Sequence, residues 1–81
     1  MKLTVKLFAA ARQAVGADEV EVTLPTAANV QILRNQLRKD FTALDGLLDH
    51  ALFAVDQQYV GDDHPLAGNE EVACILPVSG G

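Results

Sequence analysis

No lysine or arginine occurs after Lys39 in this chain of 81 residues. All six lie within residues 1–39, against three acids, whereas residues 40–81 hold eight acids. An acidic half of this kind repels phosphate backbones and anionic lipids, which argues against nucleic acid and membrane surfaces and favours a basic protein surface as partner. Cysteine is almost missing as well. Cys74 alone cannot close an internal disulfide, so nothing calls for an oxidising compartment. Near the start there is no apolar stretch of secretory type, because Lys2, Thr4 and Lys6 interrupt it, and the run Leu7 to Ala11 is far too short to span a bilayer. The expectation is a cytoplasmic domain.

What is present suits a small folded unit. Hydrophobic residues make up 49% of the chain and charged residues 21%, too apolar a mixture for disorder. At this length the chain supports one domain with a modest core. Lys2 to Phe8 alternates, with Leu3, Val5 and Leu7 on one side, and Glu19 to Leu24 alternates in the same way, so both read as strands. The outward lysines of the first and outward glutamates of the second favour antiparallel pairing. Ala9 to Val15 suits a short helix ended by Gly16. Pro25-Thr26 reads as the opening of the main helix with Thr26 as N-cap, and Val30, Leu33, Leu37 and Phe41 share one face of it. Arg34, Gln36, Arg38 and Lys39 fill much of the remainder. Short helical turns are expected over residues 44–50, strands at Leu52 to Val55 and Glu71 to Leu76, and a short extended piece at Tyr59-Val60 after a turn at residues 56–58. The fold class is α+β, a roll with one main helix on one face of a sheet.

Enzyme motifs are missing. His50 and His64 have no second histidine or cysteine at metal-ligand spacing and read as solvated loop residues, so no metal site is expected. Cys74 shares the inward parity of Val72 and reads as a buried thiol, not a nucleophile. The acids at 62–63 and 70–71 read as solvated turn residues. Two features remain. One is the end of the chain, where Gly80 and Gly81 follow a strand and a proline. Without a Cβ they let the backbone enter a narrow channel, and the reactive group is then the α-carboxylate of Gly81; the plain alternative is a chain end without a role. The other is a set of outward apolar residues, Phe8 and Ile75 joined by Tyr59, which reads either as a docking patch or as scattered surface hydrophobes.

The ending Leu76-Pro77-Val78-Ser79-Gly80-Gly81 resembles that of the small subunits of molybdopterin synthase, within the ubiquitin-like sulfur carriers. Asp63-His64-Pro65-Leu66, Glu70-Glu71-Val72-Ala73 and the opening Leu7-Phe8-Ala9 with Arg12 and Val15-Gly16 belong to the same resemblance, which spans essentially the whole chain. Leu76, Cys74 and Asp56 depart from the residues often found at those places. The resemblance implies a β-grasp, ubiquitin-like fold over residues 1–76 and an extended tail over 77–81. It further implies that a ubiquitin-activating-like adenylyltransferase uses ATP to adenylate Gly81, that a sulfur donor protein converts the adenylate to a thiocarboxylate, and that no cofactor is held stably by the chain itself. The large subunit, in a heterotetramer, would then receive the tail through Phe8, Tyr59, Ile75, Pro77, Val78 and Ser79 and pass the sulfur to cyclic pyranopterin monophosphate. On this reading the chain is no enzyme alone but the sulfur-donating half of one. The alternatives are a sulfur carrier of another pathway, a covalent protein modifier that begins from the same adenylate, and a non-covalent binding domain with an incidental Gly-Gly.

Overall fold

Alternating apolar residues are what build the sheet. A computed structural model describes residues 1–76, and in it Lys2–Phe8 (β1) alternates strictly between exposed and buried, as does Glu19–Thr23 (β2). Ala10–Val15 (α1) joins them, and Val30–Asp40 (α2) is the main helix. Two single 3₁₀ turns, Thr42–Leu44 and Leu48–His50, lead into Leu52–Val55 (β3), Gln58–Val60 (β4) and Val72–Ile75 (β5). The sheet order is β2-β1-β5-β3-β4, with β1 and β5 parallel and every other neighbour antiparallel. The first and last strands therefore lie side by side in the middle of the sheet. Leu3, Val5, Leu7, Val22, Phe53, Val72 and Cys74 meet Val30, Leu33 and Leu37 of α2 in one core.

The start of α2 corrects the expectation drawn from Pro25-Thr26. The cap is Asn29, whose side chain accepts the Ile32 N–H at 2.9 Å, while Thr26 and Ala27 form a turn with Ala27 at φ 64°. Both residues are cap formers by type. Tertiary pairing decides between them: the Ala28 carbonyl accepts the Leu66 N–H at 2.9 Å and Asn29 bridges to Pro65, so residues 28–29 are held extended and the helix starts after them. Phe41 lies past the helix end and is only half-buried. The charge pairing between strands is also half as expected. Lys2 reaches Glu21 at 4.0 Å, but Lys6, though opposite Glu19, turns to Glu71 at 3.3 Å on its other side. Gly16 closes α1 as expected, at φ 80° with its N–H donating to the Arg12 carbonyl.

Two of the acids read as free turn residues have structural work. Asp62 takes the Arg34 guanidinium at 2.8 Å. Glu70 closes the turn before β5, accepting the Ala67 N–H at 2.6 Å and the Gly68 N–H at 2.8 Å. Burial is the largest single influence on the Glu70 carboxyl and raises it, but the backbone N–H groups of Ala67, Gly68, Glu70 and Asn69 together outweigh it and hold the pKa below the ordinary 4.5. A depressed carboxyl adds stability that is complete above its unfolded-state pKa and is lost as pH falls through the folded-state value. The urea midpoint of Glu70→Gln is accordingly expected below that of the parent at pH 7, with the gap closing under pH 4.5. A gap unchanged down to pH 3 contradicts the charge-assisted cap.

Candidate functional site

The outward face of the sheet brings the predicted apolar residues together. Phe8 lies opposite Ile75, and Ile75 opposite Leu52, which makes one row across β1, β5 and β3. The next row runs Lys6, Ala73, Ala54, Tyr59 across β1, β5, β3 and β4. Alternation puts these side chains on the face away from α2. Phe8 is 46% exposed, Leu52 47% and Tyr59 67%, so three large apolar side chains are open to solvent on this one face. Phe8, Ala54, Gln57, Tyr59, Glu71, Ala73 and Ile75 enclose an open depression of about 250 Å³. Ala73 and Ala54 lie opposite each other on β5 and β3, between Phe8 on β1 and Tyr59 on β4, and Glu71 is the one charged residue of the lining.

Phe8, Tyr59 and Ile75 thus share one surface, whereas Pro77, Val78, Ser79, Gly80 and Gly81 lie outside the described residues. Leu52 was missed in the sequence because Leu-Phe-Ala-Val reads as an unbroken apolar run with no alternation to assign its faces. Its register opposite Ile75 adds it to the row. Ile75 is the middle member of the row, and the chain passes from it to buried Leu76.

Among the described residues, Cys74 is the one nucleophilic side chain on the inner side of the sheet. Burial pushes the Cys74 thiol up to about 11, only partly opposed by the Arg34 charge, so it stays a protonated thiol at neutral pH. Among the described residues no three of His, Cys, Asp and Glu come together as a cluster able to hold a metal ion, and no described helix is long and apolar enough to cross a membrane. His50 is exposed, and His64 is half-buried with its backbone carbonyl accepting the Val30 N–H at 3.1 Å. Arg34 was read as part of the polar helix face, but its side chain is only 16% exposed. It donates to the carbonyls of Leu48 and Ala51, pairs with Asp62 and lies over the Phe53 ring at 5.0 Å.

A mixed five-stranded sheet with parallel central first and last strands and one helix on one face defines a ubiquitin-like β-grasp domain. The sequence pattern of the ThiS family matches residues 5–81, and the chain belongs to that family. The molybdopterin synthase sulfur carrier subunit of Escherichia coli is 42% identical over 86 aligned positions, covering 98% of this chain and 99% of its own length. Among solved structures, a putative molybdopterin converting factor subunit 1 from Pyrococcus furiosus superimposes with a TM-score of 0.84 at 31% identity, covering 96% of this chain and 99% of that one. The small archaeal modifier protein 1 of Haloferax volcanii does so with a TM-score of 0.82 at 26% identity, covering 95% and 98%.

Proposed function

We propose that this chain is the sulfur-carrying small subunit of a molybdopterin synthase, working in the cytoplasm and inactive without its large subunit. The observation that carries the reading is full-length similarity to sulfur carrier subunits on a β-grasp domain whose sequence ends in Gly80-Gly81. A carboxylate is a poor electrophile at neutral pH. An adenylyltransferase joins the Gly81 carboxylate to the α-phosphate of ATP, releasing pyrophosphate. Sulfide-level sulfur from a donor then attacks the acyl carbon and AMP leaves, giving a terminal thiocarboxylate. This is a good nucleophile: its sulfur bonds to cyclic pyranopterin monophosphate on the large subunit, and water cleaves the resulting Gly81 thioester to return the carboxylate. The division of labour follows from charge: a chain with eight acids and no lysine or arginine over residues 40–81 is a poor host for an anionic pterin phosphate, so the basic pocket belongs to the partner.

The row Phe8–Ile75–Leu52 docks on the large subunit. Central apolar anchors of an interface each contribute on the order of 2–4 kcal/mol. Phe8→Asp and Ile75→Asp are therefore each expected to weaken binding to the large subunit at least about thirtyfold by calorimetry, with far-UV circular dichroism unchanged. Unaltered dissociation constants for both variants remove the docking face. The function itself is tested by reconstituting dithiolene formation from purified carrier, adenylyltransferase, ATP, sulfide, large subunit and pterin precursor. No product, with each enzyme shown active on a known substrate, counts against the reading.

Likeness to the archaeal modifier supports a second reading, attachment of Gly81 to lysine amines through the same adenylate. High-mass conjugates that survive reducing gels and vanish on deleting Gly81 favour it. Their absence from cells that make active molybdenum enzymes favours the carrier.

A further inference from the structure

The depression on the docking face has a chemistry of its own. Its volume of about 250 Å³ lies under the roughly 300–1,000 Å³ of small-molecule sites, so its occupant is the size of a protein side chain. Ala54 and Ala73 pair across β3 and β5 between the strands that carry Tyr59 and Phe8, and Glu71 and Gln57 complete the polar part of the lining. Asp56 is close by, its carboxylate accepting the Glu71 N–H at 3.0 Å, which adds a second negative charge. The only cation bonded to Glu71 among the described residues is Lys6, an exposed pair at 3.3 Å through Oε1. Strands β3, β4 and β5 contain no lysine or arginine at all.

Two alanines, two aromatic rings and a carboxylate in one lining complement a long side chain with a flat cationic end. Guanidinium stacks on aromatic faces and bonds a carboxylate through a planar fork, while an ammonium is a more strongly hydrated point charge. Taking the docking function above as given, we infer that this depression is a socket for one arginine side chain of the large subunit, its stem over Ala54 and Ala73 and its guanidinium on Glu71. Lys6 then competes with the incoming arginine: in the free chain it holds Glu71, and in the complex it shares or yields it.

Competition gives two changes of opposite sign. Glu71→Gln keeps the shape of the rim and is expected to weaken binding to the large subunit about tenfold. Lys6→Gln frees Glu71 and is expected to tighten it about threefold. The discriminating arm is the double variant, in which the gain from Lys6→Gln disappears because there is no carboxylate left to free. Asp45→Asn, a charge removed on the helix layer of the fold, changes affinity less than about twofold. An unchanged affinity for Glu71→Gln overturns the arginine socket and leaves a neutral apolar side chain as occupant. A Lys6→Gln gain that persists in the Glu71→Gln background overturns it too, since the effect is then long-range attraction to a basic partner. If Phe8→Asp and Ile75→Asp leave binding intact, the docking face itself fails, an outcome separate from either of these.

Discussion

Deleting Gly81 is expected to lower sulfur transfer at least about a hundredfold while leaving the unfolding transition where it was. The terminal carboxylate of the shortened chain belongs to Gly80, drawn back by one residue, about 3.3–3.6 Å. An acyl carbon must come to about 3–3.5 Å from the attacking atom, and a misplacement of about 1 Å already costs on the order of a hundredfold. A retreat of a whole residue removes the reaction at both steps, adenylation and sulfur delivery. Folding is spared because the described core closes with Leu76, 6% exposed, five positions earlier. The expected readings are thus no dithiolene product and an unchanged urea midpoint. A chain extended past Gly81 by an uncleavable residue fails in the same way, and full activity of that extended chain contradicts a reactive terminus.

The second large effect is on stability and concerns Arg34. Its guanidinium donates to two backbone carbonyls, Leu48 at the start of the last 3₁₀ turn and Ala51 just after it, and ties Asp62 to the same point. It therefore links α2 to the entrance of β3 and to the loop after β4. Arg34→Met keeps much of the packing over Phe53 but takes this donor from the Ala51 carbonyl and leaves the Leu48 carbonyl with the Ala51 N–H alone. An unsatisfied buried group costs about 1–3 kcal/mol and a lost hydrogen bond from a charged donor about 1.5–3 kcal/mol, so a loss of about 2–4 kcal/mol is expected, a fall in Tm of about 10 °C or more for a domain of this size. Arg34→Lys recovers less than half, because an ammonium cannot fork between two carbonyls and a carboxylate. A loss below about 1 kcal/mol for Arg34→Met contradicts this assignment. The guanidinium is not perfectly served even in the parent, since its Nε is buried without an acceptor.

Arg34 also shows where reading the sequence stops. Helical periodicity places it on the polar side of α2, which is correct locally, but the acceptors it finds are 14 and 17 residues away on turns whose path no periodicity encodes. The strands were legible wherever side chains alternate, as in β1 and β2, and less so in β3, whose continuous apolar run conceals that Leu52 faces solvent while Phe53 is 1% exposed. Thr26 and Asn29 were both competent caps, and the pairing of residues 28–29 with Pro65 and Leu66 chose between them. The turn before β4 was visible as polar residues, but not that Asp56 and Gln57 both take positive φ, at 51° and 70°, where an Asn-Gly pair is the easy choice. Of the proposed docking surface, Phe8 and Ile75 followed from parity, while Tyr59 was joined to them without such an argument. The depression, and Glu71 at its rim, needed the parallel pairing of the first and last strands, a contact between residues more than sixty positions apart. The proposed reactivity of Gly81 was legible in a different way. No packing argument marks a terminal glycine: the residues themselves offered two Cβ-free positions after a strand and a proline and no other nucleophile in a suitable setting, and the thiocarboxylate chemistry came from resemblance.

The central claim is that Gly81 carries the sulfur. It is tested most directly by the intact mass of the full chain after incubation with its adenylyltransferase, ATP and a sulfide source. The account predicts a shift equal to one oxygen exchanged for one sulfur, located by fragmentation at the C-terminal residue and absent when Gly81 is deleted. An unshifted mass, with the same adenylyltransferase shown to charge another carrier, would contradict it.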